Sequence, residues 1–324
     1  MKKALLVVSV IVCLFSACTT LQTVSFDRLE AADFNFPERI QSVGVINCMP
    51  VVKAEDVHYA SGLLEGDGKT ATEALAQEVA ATHYFDRVVI CDSALWQRSV
   101  PMEGPLSTAM VDSLAQALEV DLLLVMERVH IQLTNGTMVL PDLMVTVPGI
   151  DGVVTPVLRS YLPGREIPLF SVSRSDTLCW QKGPKLTFEQ IVKESSEYAA
   201  TMPIENLLPH WVTEERYYFD GGNVEMRDAG VYLRENNWEG AAILWKQVYD
   251  TKKGKPKMRA AYNLALYSEM QSDFQQAIQY LDEASLGVLA ESPEGGLILF
   301  YRGQLERMLK ENQRLRIQMM RFER

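Results

Sequence analysis

The chain has 324 residues, enough for two domains that each bury a core, and its 48% apolar and 23% charged residues, with 19 Gly and 14 Pro, are those of an ordinary globular protein. The 31 basic and 42 acidic residues leave a net charge of −11, which repels a phosphate backbone and argues against nucleic acid as a partner. Disordered, collagen-like and low-complexity classes are excluded.

The chain opens on an address. Met1, Lys2 and Lys3 precede an apolar run from Ala4 to Phe15, too short to span a bilayer as a mature helix, so residues 1–17 read as a signal peptide. Leu14, Phe15, Ser16 and Ala17 before Cys18 resemble a bacterial lipobox, with Phe15 where Leu is usual. The resemblance implies that Cys18 is lipidated, palmitate included, and becomes the first mature residue. Cleavage removes Lys2 and Lys3, leaving 29 basic against 42 acidic residues, a balance of −13. Thr19 to Thr23 lack both the Asp at the second mature position that resembles an inner-membrane retention signal and any acidic export cluster. The implied location is the periplasmic face of the outer membrane. Residues 18–37 read as a lipidated tether, and the longest later apolar stretch, Leu122 to Met126, is strand-sized. Cys48, Cys91 and Cys179 remain in an oxidising compartment; they are either free thiols or include a Cys48–Cys91 bridge, since both end short apolar runs.

Residues 38–220 alternate strand and helix signals. Ser42–Cys48 and Arg87–Cys91 are compact runs rich in Val and Ile, as in buried strands, and Ala71, Leu75 and Val79 mark a helix between them that starts near Thr70 or Thr72. A second helix from Ser107 carries Met110, Leu114 and Leu118 on one face. Leu122–Leu133 predicts a long strand, and Asn135-Gly136 predicts a hairpin turn into Met138–Val147. Pro141, Pro148, Pro156, Pro163 and Pro168 predict partial loop over 141–168. Ser171–Trp180 is a strand candidate. Thr187 and Gln190 form a capping box for a helix that carries Ile191, Ser195 and Tyr198 and ends near Pro203. The order predicts an α/β domain, a mixed sheet with packed helices. Over roughly 38–212 it resembles the small domain shared by the curli-secretion lipoprotein, the penicillin-binding-protein activator lipoprotein and the amino-terminal domain of the Tol translocation protein. That likeness implies contact with envelope proteins, not catalysis.

Residues 221–324 change to a helical period. Ala261 to Ala265, then Asp273, Phe274, Ala277, Leu281 and Ala284, resemble a tetratricopeptide repeat. A shift of 36 residues finds Ala229, Tyr232, Trp238, Ala241, Trp245 and Val248 in the same roles. Two units and a capping helix over Leu297–Phe322 make an all-α tetratricopeptide-like domain. In such arrays the first helix of each repeat lines a concave face, which places Arg227, Arg234, Tyr262, Asn263, Leu266 and Glu269 as candidate partner-binding residues, unless the chain's own terminal helix fills the groove. Pro209, Trp211, Arg216, Tyr217, Tyr218, Ala229, Trp238, Ala241 and Trp245 together resemble a family of uncharacterised Gram-negative outer-membrane lipoproteins carrying a domain of unknown function.

Chemical motifs fail on physical grounds. Gly68-Lys69-Thr70 imitates a phosphate loop, but Leu63 stands where the pattern needs Gly, and Glu65 and Asp67 repel a triphosphate, so no nucleotide is expected. The apolar run ending in Glu127 imitates a magnesium-binding strand without that loop. His58, His83, His130 and His210 are scattered, and Glu55, Asp56 and His58 form the single acidic and histidine cluster, which reads as a solvated loop; no metal or cofactor is expected. Asp92-Ser93 lacks a nucleophile elbow, and no catalytic residue is assigned. The expectation is a non-catalytic lipoprotein, a protein-binding adaptor or scaffold for an envelope protein. The alternatives are a regulator or subunit of an envelope secretion or cell-wall machine, and a hydrolase whose residues converge from distant positions.

Overall fold

The computed structural model describes residues 21–51, 62–96, 104–140 and 144–322. The signal segment, Cys18, Pro141 and the Glu55, Asp56, His58 cluster lie outside the described residues. The chain divides into two compact units: Ala31–His210 with Ile317–Arg324, and the segment up to Glu30 with Trp211–Arg316.

In the first unit, β2 (Ser42–Asn47), β4 (Arg87–Cys91) and β5 (Leu122–Leu140) are parallel neighbours, with Val43 opposite both Val88 and Leu122. The antiparallel β6 (Val145–Tyr161) extends the sheet from β5, short β3 (Leu63–Glu65) joins β5, and β7 (Phe170–Val172) and β8 (Asp176–Gln181) join β6. The sheet is mixed because βαβ crossovers give parallel pairs and hairpins antiparallel ones.

Alternation along β5 sorts its side chains into two cores. Leu122, Leu124 and Met126 join Leu75, Val79 and Ala199 in one, while Leu123 and Val125 join Val111 and Ala115 in the other. Helices therefore cover both faces, which is why this stretch reads as a continuous apolar run. They are α1 (Gly68–Ala81), α2 (Thr108–Leu118), α3 (Phe188–Thr201) and the short α4 (Ile204–Leu207). Helix α1 is capped earlier than expected: the Asp67 carboxylate accepts from the Thr70 amide at 2.6 Å. The last residues of the chain also belong here, with Gln318 buried and hydrogen-bonded to Ala32 and Phe34.

Two expectations are corrected. Asn135 and Gly136 do not turn the chain; they lie within the ladder opposite Ile150 and Gly149, which continues to Leu140 opposite Val145. Gly136 leaves room there for the Asp151 carboxylate, which a Cβ would displace. Residues 145–161 are strand and not loop, despite Pro148 and Pro156. β8 covers Gly149–Val154 and β7 covers Leu158–Ser160, so Pro156 falls in the gap where the outer side of β6 has no ladder partner, and Pro148 lies at the ladder's end, where its carbonyl still accepts from the Lys182 amide at 2.9 Å.

In the second unit, the stretch expected as tether is a strand from Leu21 to Glu30 (β1), paired with β9 (His210–Phe219) in a two-stranded ribbon. Helices follow as α5 (Val224–Arg234), α6 (Trp238–Thr251), α7 (Lys255–Met270), α8 (Phe274–Ser285) and α9 (Pro293–Met319). The 36-residue offset is physical. Asn236 and Ser272 each take φ of 59°, and the next residue, Asn237 or Asp273, caps the following helix through its side chain. Ala241, Trp245 and Val248 are fully buried, as are Ala277, Leu281 and Ala284, one offset further on.

Candidate functional site

The six candidate partner residues do not share one environment. Arg227 and Arg234 of α5 are exposed, Arg234 within 3.8 Å of the Asp220 carboxylate. Tyr262, Asn263, Leu266 and Glu269 of α7 are buried, which corrects the expectation that they line an open groove. Their side chains serve the interior instead. Asn263 donates to the Phe219 carbonyl at 2.7 Å and accepts from the Phe219 amide at 2.8 Å, which satisfies the end of β9. Tyr262 and Leu266 share a core with Ile298, Tyr301, Leu305 and Met308 of α9, so the terminal helix covers them.

Glu269 is the centre of a buried polar cluster. Its carboxylate accepts from Arg216 Nε at 3.1 Å and Nη2 at 2.8 Å, and from the Tyr301 hydroxyl. Arg216 also donates to Glu214 at 2.6 Å, and Glu214 accepts from Arg28 at 3.0 Å. Burial alone would lower the Arg216 pKa, yet Glu269 and Glu214 outweigh it and raise it, so the guanidinium stays charged. Burial, reinforced by Glu269, drives the Tyr301 hydroxyl well above its ordinary range and keeps it a donor. A bidentate arginine and carboxylate with all neighbours satisfied fixes geometry and leaves no free group for chemistry.

A second cluster lies at the carboxyl ends of the parallel strands, where α/β sheets often place ligands. Glu127 follows Leu123 and Val125 in the alternation of β5, which puts its carboxylate on the face that holds Tyr161 and Cys48; the bulge between Met126 and Arg128 reverses the phase beyond it, where Val129 and Ile131 join the other core. It pairs with Arg159 and accepts from the Tyr161 hydroxyl at 2.9 Å. Burial raises the Tyr161 pKa to about 12, with Glu127 adding to the shift. Burial, Glu127 and Cys91 push the Cys48 thiol up to about 12, which removes it as a thiolate nucleophile. Cys48, Cys91 and Cys179 are free. The sequence did not announce this cluster, because alternation puts Glu127 on that face but nothing local says that Arg159 and Tyr161 of β6 stand beside it.

The phosphate-loop imitation is closed: Asp67 occupies the start of α1, and Lys69 faces Glu73 and Asp92, each at 3.7 Å. Among the described residues no group of three His, Cys, Asp or Glu could hold a metal ion, and no helix is long and apolar enough to cross a membrane. An open groove of about 380 Å³ runs between α1 and α3, lined by Glu73, Gln77, Glu78, Glu197, Tyr198 and Thr201.

An α/β unit with a mixed sheet and a helical unit with a 36-residue offset define a two-part chain. Residues 40–219, more than half of it, match the family described as domain of unknown function DUF8603, and the chain belongs to that family. Residues 227–307 match a second family, domain of unknown function DUF6340. No curated protein matches the chain.

Proposed function

We propose that this protein is a lipid-anchored adaptor or scaffold that holds an envelope protein at the periplasmic face of the outer membrane, making and breaking no bond. The observation that carries this reading is the repeated hairpin. Asn237 and Asp273 donate their amides to Tyr232 and Ser268 at 2.8 and 2.9 Å, and Asn236 and Ser272 donate to Leu233 and Glu269 at 3.0 and 2.8 Å, all 36 residues apart. Two helical hairpins closed by the same left-handed turn support a tetratricopeptide-like module, a scaffold for protein contact. Arg227 and Arg234 are the candidate residues left exposed, and arginine is suited to anchoring a partner. The internally neutralised Glu127 and Glu269 and the protonated Cys48 also favour binding over catalysis. Location and lipid rest on the residues around Cys18.

The test is crosslinking on intact membranes. One envelope protein recovered in fixed proportion with the wild type, and lost when Cys18→Ala releases the chain from the membrane fraction, supports an anchored adaptor. Recovery of Cys18→Ala in washed membranes at wild-type level excludes lipid as the anchor.

A further inference from the structure

Strand β1 starts at Leu21, and its side chains alternate. Val24, Phe26 and Arg28 are partly buried against their own unit, while Thr23, Ser25 and Asp27 are exposed. On β9 the alternation is the same: Arg216 and Tyr218 are buried, and Trp211, Thr213, Glu215 and Tyr217 are exposed. Thr213 donates to Asp27 at 2.7 Å, which ties the two outward rows together. The ribbon thus has one face committed to the helices and one open to solvent. That open face carries two aromatic side chains, Trp211 at 71% and Tyr217 at 48% exposure. Two aromatics interleaved with Thr213, Glu215 and Asp27 make no continuous apolar patch, so what they face is decided by what lies beside the ribbon.

The length of chain before β1 selects the occupant. Cys18 and Leu21 are three residues apart, which at full extension is about 11 Å. The polar layer on each side of a bilayer is roughly 5–8 Å thick. An acyl chain on Cys18 therefore keeps the Leu21 end of β1 within reach of the headgroups, and the ribbon must lie flat for the end that carries Trp211 and Thr213, beside Asp27, to reach them too. Trp and Tyr are the side chains that favour that layer, each with an apolar ring and a polar tip. Asp27 and Glu215 on the same face argue for zwitterionic headgroups and against an anionic surface.

We propose that the outward face of the β1–β9 ribbon lies on the bilayer, with Trp211 and Tyr217 seated among zwitterionic headgroups, so that the lipid and the ribbon together fix the orientation of the ribbon's own unit at the membrane. This rests on the lipid-anchor reading above. The ribbon is then a second, non-covalent contact, too weak to hold the chain without the acyl groups but able to set which surfaces face the periplasm.

The full-length lipidated protein, purified from membranes and reconstituted into phosphatidylethanolamine and phosphatidylcholine vesicles, tests this by tryptophan fluorescence with lipids brominated high on the acyl chain. Of the five tryptophans Trp245 and Trp180 are buried and Trp96 and Trp238 half-buried, so the difference between wild type and Trp211→Phe is what reports on exposed Trp211. The expected result is quenching with a blue shift on reconstitution, loss of that quenching in Trp211→Phe, and weakening as anionic lipid is added. Vesicle-bound protein whose Trp211 stays open to aqueous iodide and untouched by bromolipid overturns the docking face while the anchor stands. Quenching that strengthens with anionic lipid also overturns the proposed zwitterionic contact. Protein that carries no acyl group by mass spectrometry and does not float with vesicles overturns the anchor, and the docking face with it.

Discussion

Arg216 on β9 and Glu269 on α7 are 53 residues apart in sequence and form a buried ion pair with two arginine nitrogens on one carboxylate. The Glu269 side chain is fully buried and that of Arg216 is 4% exposed. Leaving one member alone in the interior costs about 3–5 kcal/mol, whereas an apolar replacement of both is often neutral. Glu269→Ala should therefore lower the denaturation midpoint of the helical unit sharply, and Arg216→Met with Glu269→Leu should recover most of it. Chemical denaturation of the three proteins is the measurement; equal stability of Glu269→Ala and wild type would remove the pair from the fold's support.

The same unit depends on small residues at the hairpin crossings. Ala241 and Ala277 are fully buried one offset apart. Leu at either position adds volume with nowhere to go and should cost roughly 1–3 kcal/mol by overpacking. Thermal melts of both variants check this, and unchanged melting in both would argue against the tetratricopeptide-like packing.

Acid should weaken the helical unit through Glu214. Burial pulls its pKa up, but the bonds from Arg216 and Arg28 outweigh that and hold it below the ordinary 4.5. A carboxyl with a lower pKa folded than unfolded contributes stability above its unfolded value and loses it as pH falls through its folded value. Wild type should lose more stability than Glu214→Gln between about pH 5 and about pH 3, and the two should run parallel above that window. Parallel curves throughout would mean that Glu214 gains nothing from its arginines.

Much of the architecture was legible because it rests on periodicity. Ala71, Leu75 and Val79 repeat with the helix, Leu122–Met126 is apolar because both faces of β5 are covered, and Ala241 and Ala277 repeat with the hairpin. What escaped depends on pairing at long range. Leu21–Glu30 looks like a polar tether until β9 supplies its hydrogen bonds, and Pro156 looks like a breaker until the gap between β7 and β8 is seen. The candidate site was legible only in part. Position in the repeat identified Tyr262, Asn263, Leu266 and Glu269, but their burial follows from α9, whose packing no local pattern encodes. Glu127 was hidden for the same reason, because its partners Arg159 and Tyr161 lie on β6.

The adaptor reading is tested most directly by partner recovery with Arg227→Ala and Arg234→Ala combined. Both side chains are exposed on α5, so the variant should melt as wild type does. Quantitative crosslinking on membranes should then show the envelope partner recovered by wild type and lost in the double variant at equal protein level. Undiminished recovery with the fold intact would contradict partner binding through this face of the helical unit.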